Sequence, residues 1–341
     1  MSKKNLNFLF GLLLIVSLFM SSCTSTSTPD PTEVEPDLTA TSQTATNTPI
    51  KVEPTATIDS LLEPILFTDG LNRSITLTAP AQTIVSLAPS NTEILFALGA
   101  GPQVVGREEF SDYPPQAQNI TNVGGGFGDY NFELIASLQP DLILASSLQP
   151  PELIQALEDL GFTVFVLSNP TEMEGLFSNL LIVGELTGNS IQAQSLVESL
   201  RERVRIVEEK VSAVEEPLLV FYELDATEPN APWTAGPGTF VDTLISMAGG
   251  VNLGSLLQGE WVQISIEEIL VQDPDVIVLG DYTWGGITPE DVAARAGWAS
   301  LSAVQFDRVY TIDDNLVSRP GPRLVDGLEE MAKLLYPELF D

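Results

Sequence analysis

Short apolar runs alternate with helix-like segments along this chain, and the alternation limits its fold more than any other feature. In the first half, residues 84–88, 140–144 and 163–167 have the continuous apolar character of buried strands, and 151–160 has the pattern of a helix. Strands that are apolar on both faces are typical of parallel sheets covered by helices on each side. The pattern therefore predicts an α/β fold.

The same alternation returns in the second half of the chain, after Pro217. It predicts strands at 218–224, 275–279 and 308–312, a helix at 239–248 and a closing helix from Leu324 to Leu335. Segment 133–144 also resembles segment 267–278, with Glu, Ile, Pro, Asp and Ile at matching positions. The match indicates either two independent helix–turn–strand units or two related lobes with pseudo-two-fold symmetry, and we favour the second.

A long amphipathic helix is predicted between the two halves. Apolar residues recur there at spacings of three and four: Leu196, Leu200, Val204, Val207, Val211 and Val214. This stripe fits a helix of roughly 35 Å, at a rise of about 1.5 Å per residue. We therefore predict two Rossmann-like lobes, at 64–188 and 216–341, joined by a spine helix at 189–215.

Residues 1–22 have the three-part layout of a secretory signal, with a positive start, an apolar run and small residues at the end. The apolar run, 8–20, is shorter than the ~20 residues that a permanent membrane-spanning helix needs. Met20-Ser21-Ser22-Cys23 resembles a bacterial lipobox. We expect cleavage before Cys23 and lipid on its sulfur, which would anchor the chain to the membrane. The alternative is a plain signal peptide followed by an incidental cysteine.

Residues 23–63 consist mainly of Thr, Ser, Pro, Asp and Glu with scattered aliphatic residues. A folded domain would have almost nothing to bury there, so we predict a disordered tether between the lipid and the lobes. Together the first two segments predict an extracytoplasmic protein held at the cell membrane.

The charge and the rare residue types exclude several classes of function. Against 14 Lys and Arg stand 47 Asp and Glu, a formal charge of −33, which repels nucleic acid and disfavours strongly anionic ligands. The chain has no histidine, so Ser-His-Asp catalysis and His-containing metal sites are excluded. Its single cysteine excludes an intrachain disulfide. We expect no metal site and no cofactor.

Five segments resemble the cobalamin/ferric-siderophore class of periplasmic binding proteins: 84–99, 110–117, 233–240, 297–301 and 308–310. The resemblance runs from about Ile65 to Tyr336 and is strongest for the cobalamin-binding members. It implies the class III fold of two α/β lobes with one long connecting helix. It also implies a monomer that captures a ligand without catalysis and delivers it to the permease and ATPase complex of an ABC importer. The implied ligand is a corrinoid such as cobalamin.

The resemblance places four aromatic side chains against this ligand, which needs flat apolar surfaces on its two faces. They are Phe110 and Phe127 in the first lobe, and Trp233 and Trp261 in the second. Phe127 lies in a glycine-rich loop, and both tryptophans are predicted in loops. The alternative for each ring is a place in the core. Phe110 and Phe127 stand where the cobalamin binders have Tyr and Trp.

The resemblance also points to polar residues near the ligand. Ser90 and Asn91 are predicted at a helix N-terminus, where Ser90 and Glu93 have the spacing of a capping box. They either contact the ligand or only cap the helix. Arg319 and Arg323 match a pair of arginines in the same class. They either contact amides or a phosphate of the ligand or pair with surface acids.

Glu133 and Glu267 occupy equivalent places in the two halves, each at the start of a helix. An acid in the first turn of a helix stabilises it by ~0.3–1 kcal/mol through the helix dipole. The resemblance implies a second role, in which one exposed glutamate on each lobe docks on arginines of the permease. Their symmetric placement favours docking.

Other functions stay open at this point. The same fold could bind a ferric siderophore or haem. A lipid-anchored hydrolase that uses carboxylates alone is a more remote alternative, and a passive adhesin would have no ligand in a cleft.

Overall fold

A computed structural model of the protein describes residues 64–126 and 128–340. The predicted signal peptide at 1–22, Cys23, the tether at 23–63 and Phe127 lie outside the described residues. No helix in the described part of the chain is both long enough and apolar enough to cross a membrane.

The first half begins with an antiparallel hairpin, β1 (Ile65–Thr68) and β2 (Ser74–Leu77). A five-stranded parallel sheet follows, with strand order β5-β4-β3-β6-β7. Its strands are β3 (Ile84–Ser86), β4 (Val104–Arg107), β5 (Thr121–Asn122), β6 (Leu142–Ser146) and β7 (Val164–Leu167). The helices of this half are α1 (Pro89–Ala97), α2 (Phe132–Leu138), α3 (Pro151–Asp159) and α4 (Met173–Thr187).

The second half contains a four-stranded parallel sheet of order β10-β8-β12-β13 and a separate antiparallel pair, β9 with β11. The strands are β8 (Leu219–Glu223), β9 (Trp233–Ala235), β10 (Val251–Asn252), β11 (Trp261–Gln263), β12 (Val276–Leu279) and β13 (Val309–Thr311). A long helix, α5 (Ser190–Val211), connects the two halves. The later helices are α6 (Phe240–Met247), α7 (Ile266–Gln272), α8 (Tyr282–Gly285), α9 (Pro289–Ala293), α10 (Ser302–Gln305) and α11 (Leu324–Leu335).

Both parallel sheets are covered on both faces, as the continuous apolar runs predict. Leu142 and Leu144 of β6 pack into one hydrophobic cluster, whereas Ile143 between them packs into another on the opposite face. Val276 and Ile277 of β12 separate in the same way. Successive side chains of a strand point to opposite faces, so each sheet needs helices on both sides. The α/β prediction is confirmed.

Helix α5 is the predicted spine, and it is shorter than the predicted range of 189–215. It has 22 residues, which is about 33 Å at 1.5 Å per residue. It packs against α4 and α11, and its buried face joins a hydrophobic cluster that contains residues of both sheets. Asn189 is the N-cap residue, and Val214 of the predicted stripe lies beyond the end of the helix. The lobe boundaries on either side of α5 stay a prediction.

The segments with matching sequences fold alike. Helices α2 and α7 have seven residues each, and each ends in a left-handed residue with φ 49°, Gln139 or Asp273. An aspartate two residues later accepts a hydrogen bond from a backbone N–H at the start of a neighbouring strand. Asp141 accepts from Thr83 N at 3.0 Å, and Asp275 accepts from Leu219 N at 2.9 Å. The two halves therefore use the same helix–turn–strand unit.

Candidate functional site

The candidate site is formed by loops at the carboxyl ends of the parallel strands, the edge where ligands bind in α/β sheets. In the first half these loops follow β3, β4 and β5. In the second half they follow β8 and β12, and the β9–β11 pair extends from the loop after β8.

Trp233 and Trp261 lie on the same face of the β9–β11 pair. Trp261 pairs with Ala235, and Gln263 pairs with Trp233, so the two indoles are diagonal neighbours on one side. Their side chains are 37% and 49% exposed, which excludes the core alternative. The sequence predicted loops here, and the structure instead has short strands. We call Trp233 and Trp261 the tryptophan face.

Thr234 anchors the tryptophan face to the second-half sheet. It points away from the indoles, is buried, and its hydroxyl donates a 2.7 Å hydrogen bond to the carbonyl of Tyr222 in β8. The backbone of Trp233 also exchanges hydrogen bonds with the segment after β8, through Asp225 O at 2.8 Å and Leu224 N at 2.9 Å. The exposed rings are therefore held on a fixed support.

Phe110 follows β4 and is half-buried against the glycine-rich loop. A Cβ atom built on Gly126 would lie 2.7 Å from the Phe110 ring, and one on Gly124 would lie 2.4 Å from the carbonyl of Asp129. Gly124, Gly125 and Gly126 all have positive φ, a conformation that glycine adopts without strain. The loop that carries Phe127 therefore requires its glycines for local packing. The role of either phenylalanine as a ligand contact stays a prediction.

The predicted capping box at Ser90 is wrong. Helix α1 begins at Pro89, one residue earlier, and its N-cap residue Ala88 has no side-chain hydrogen bond. Proline suits the first turn because its missing N–H would be unpaired there. Ser90 therefore lies inside the helix, and Glu93 pairs with Arg323 instead of bonding back to the helix start.

Asn91 is buried and ties α1 to the central sheet. Its Nδ2 donates to the carbonyls of Leu144 at 3.1 Å and Ala145 at 3.0 Å, in β6. Both amide hydrogens therefore have partners within the protein. These bonds give Asn91 a structural role, and ligand contact by Ser90 and Asn91 stays a prediction.

Arg319 and Arg323 form one cluster with Glu93. Arg323 makes two hydrogen bonds to the Glu93 carboxylate, of 2.6 and 2.9 Å, and Arg319 Nη1 lies 3.4 Å from Glu93 Oε1. Arg319 also donates to Asp112 at 2.6 Å and is only 8% exposed. Both arginines pair with acids, and the acid they share, Glu93, is buried and not on the surface. Ligand contact by Arg319 stays a prediction. The cluster joins the segment before α11 to α1 and to the loop after β4 in the first half.

Glu133 and Glu267 are both exposed, in the first turns of α2 and α7. The caps of these helices come from other side chains, Asn131 and Ser265, which accept hydrogen bonds from backbone N–H groups. Neither glutamate forms a salt bridge with a described residue. Both carboxylates are therefore accessible to a partner.

A cavity of about 420 Å³, which the sequence pattern does not predict, opens at the carboxyl ends of β8 and β12. Asp225, Asp281, Asp314 and Trp284 line it. Asp281 is 7% exposed and lies beside Glu223, which Arg295 binds with hydrogen bonds of 2.5 and 2.8 Å. Burial, followed by the charge of Glu223, raises the pKa of Asp281 to about 7. The available signal was the polar Gly280-Asp281 step directly after a buried strand.

The family model for periplasmic binding protein matches residues 84–316. An uncharacterized ABC transporter substrate-binding lipoprotein of Bacillus subtilis strain 168 is 34% identical over 282 residues, covering 81% of this chain and 87% of that protein. A vitamin B12-binding protein of Vibrio cholerae is 32% identical over 257 residues, covering 75% of this chain and 90% of that protein.

Solved structures agree with the fold described above. The periplasmic vitamin B12-binding protein of Vibrio cholerae has a TM-score of 0.66 and 32% identity, covering 76% of this chain and 98% of that one. A periplasmic haem-binding protein of Pseudomonas aeruginosa has a TM-score of 0.66 and 26% identity, covering 75% and 93%. With this fold and these matches, the chain belongs to the periplasmic binding protein family, as a substrate-binding protein of an ABC transporter.

Proposed function

We propose that this protein captures a corrinoid of the cobalamin type and delivers it to the permease and ATPase complex of an ABC importer. The observation that carries the proposal is the tryptophan face, two exposed indoles on one side of the rigid β9–β11 pair. A corrinoid is a broad, mostly apolar disc with amide groups at its rim, and such a disc binds to flat aromatic surfaces. The 32% identity to a vitamin B12-binding protein supports the same ligand.

Haem is the second candidate, because a haem-binding protein is among the solved structures that match. Two features favour the corrinoid. The chain has no histidine, so haem iron could take its axial ligand only from another side chain such as Tyr or Met. Its formal charge of −33 also disfavours a ligand that carries carboxylates, as haem does. A ferric siderophore is the third candidate, and a neutral or cationic chelate suits this charge better than an anionic one.

The proposal includes a location. Lipid on Cys23 would hold the protein at the outer face of the cell membrane, and residues 23–63 would give the lobes reach toward the permease. Glu133 and Glu267 would dock on arginines of that permease. A monomeric carrier would then make one acidic contact with the permease from each lobe. We propose no catalysis and no resident cofactor.

The test is isothermal titration of the full mature chain in detergent with cyanocobalamin, dicyanocobinamide, haemin and a ferric hydroxamate siderophore. The proposal expects the two corrinoids to bind and the other compounds to bind at least about 100-fold more weakly, a free-energy difference of roughly 2.7 kcal/mol. Tight binding of haemin or the siderophore with no binding of either corrinoid would refute the corrinoid proposal and keep the family.

A further inference from the structure

The cavity at the ends of β8 and β12 is distinct from the tryptophan face but adjoins it. Leu224 and Asp225 line the cavity, and their backbone groups are the ones that bond to Trp233. A ligand that lies on the tryptophan face therefore has this cavity next to one edge.

Carboxylates dominate the polar lining of the cavity. Three aspartates line it, Asp225, Asp281 and Asp314, and none of the described residues in its lining is a lysine or arginine. Arg295 lies near the cavity without lining it, and both of its terminal nitrogens donate hydrogen bonds to Glu223. The pocket therefore offers hydrogen-bond acceptors and a negative potential to whatever enters it.

Two of these acceptor oxygens are not used within the described part of the protein. Asp281 Oδ2 accepts from the Ala226 N–H at 3.2 Å, whereas its Oδ1 is buried and accepts no hydrogen bond. Asp225 Oδ1 accepts from the N–H and hydroxyl of Thr227 at 2.7 and 2.6 Å, which leaves Oδ2. A buried oxygen without a partner is unfavourable. A donor on a ligand in the pocket can satisfy this oxygen.

Trp284 gives the pocket an apolar wall. Its indole is 64% exposed, and Nε1 donates to Asp314 Oδ2 at 3.2 Å, which fixes the orientation of the ring. Tyr222 and Ser318 also donate to Asp314, at 3.2 and 2.8 Å, so this aspartate serves as the support for the ring. The exposed indole can pack against an alkyl chain of a ligand, and the free carboxylate oxygens beside it can accept hydrogen bonds from a donor at the end of that chain.

We propose that this acidic pocket binds a neutral N–H donor group of the ligand, a primary amide on an alkyl stem, and excludes a carboxylate at the same place. The inference rests on the proposed function, because the amide-bearing ligand is the corrinoid. It adds a basis for selectivity to that function. An amide donates to Asp281 or Asp225 while its stem packs on Trp284. At pH 8, where all three aspartates are ionised, a carboxylate brings a fourth negative charge and no donor.

The test compares cyanocobalamin with its monocarboxylic acids, in each of which one rim propionamide is hydrolysed to a carboxylate. Titration at pH 8 of the full chain in detergent should show at least one monocarboxylate binding about 10-fold or more weakly than the parent. Asp225→Asn and Asp281→Asn should each reduce that ratio by about threefold or more, since each removes a negative charge and keeps the shape of the side chain. Glu290→Gln is the matched control, because Glu290 is an exposed acid of the same half that does not line the pocket. It should leave the ratio unchanged.

The possible results separate the two proposals. If the parent chain binds no corrinoid, the proposed function fails and this inference fails with it. If it binds cyanocobalamin and all the monocarboxylates equally, or if the Asn variants keep the original ratio, the pocket inference is wrong and the proposed function stands. Asp225 is exposed, so Asp225→Asn alone decides the question if Asp281→Asn does not fold.

Discussion

Replacing Asp281 with Asn should stabilise the protein at pH 8 and have little effect at pH 4. Asp281 is buried beside Glu223, and one arginine, Arg295, neutralises only one of these two carboxylates. The other groups near the pair are Asp225, Asp314 and Tyr222, none of which is a cation. An ionised Asp281 therefore has no cation of its own, and the uncharged Asn side chain avoids this unfavourable charge.

The magnitude follows from the pKa. The pKa of Asp281 is about 7 in the folded protein, against an ordinary value of 3.8. Between these two values the unfolded chain loses the proton while the folded chain keeps it, so stability falls as pH rises from about 4 to about 7 and then stays level. The full difference between these two pKa values corresponds to a loss of stability of at most about 4 kcal/mol. We expect Asp281→Asn to gain about 2–4 kcal/mol at pH 8, because its amide can also donate to Glu223.

Urea denaturation of the parent and Asp281→Asn chains at several pH values from 4.5 to 8 measures this difference. Subtracting one curve from the other removes the contribution of other acids, such as Glu108, whose pKa burial also raises. Glu290→Gln serves as a control for the loss of one charge and should give a small difference with no pH step. A stability difference for Asp281→Asn that is constant across the whole pH range would show that the fold does not raise the pKa of Asp281.

Three further predictions concern the site. Trp233→Leu or Trp261→Leu should weaken corrinoid binding by about 10- to 100-fold in titration calorimetry, because each loses about 1.5–3 kcal/mol of apolar contact. Unchanged affinity in both variants would show that the tryptophan face is not part of the site. Glu133→Ala combined with Glu267→Ala should abolish uptake by cells and leave the affinity of the purified chain unchanged, so a large affinity loss would contradict docking. Glu93→Gln should destabilise the fold by about 3 kcal/mol in urea denaturation, since Arg323 loses its carboxylate partner and the buried Arg319 keeps only Asp112. A loss below about 1 kcal/mol would mean that the cluster contributes little.

The parts of the fold that depend on local pattern could be predicted from the sequence. The apolar stripe of α5 recurs every three or four residues, and the apolar runs of β6, β7 and β12 are continuous. In each case the residues that define the element are near one another in the chain. The match between 133–144 and 267–278 was informative for the same reason. Each segment contains its whole helix, turn and strand, including the left-handed residue that ends the helix.

The capping-box prediction failed because residues outside that spacing, one adjacent and one distant, decide the structure. Ser90 and Glu93 have the spacing of a capping box, but Pro89 starts the helix and Arg323, far along the chain, takes the Glu93 carboxylate. Local spacing contains no information about that partner. Arg319 was ambiguous for the same reason, because Asp112 and Glu93 reach it only in the folded chain.

The two halves differ most where their shared unit stops, and the selectivity of the protein should depend on that difference. The units 133–144 and 267–278 build equivalent helices and strands, but the loops at the carboxyl ends of the two sheets have unlike residues. The first half presents Phe110 and a glycine-rich loop, whereas the second presents the tryptophan face and the acidic pocket. Two similar lobes can hold a flat ligand between them. Loops that differ between the lobes are needed to distinguish one edge of the ligand from another. Ligand choice should therefore change with substitutions in the loops after β8 and β12, while substitutions in the repeated units change stability.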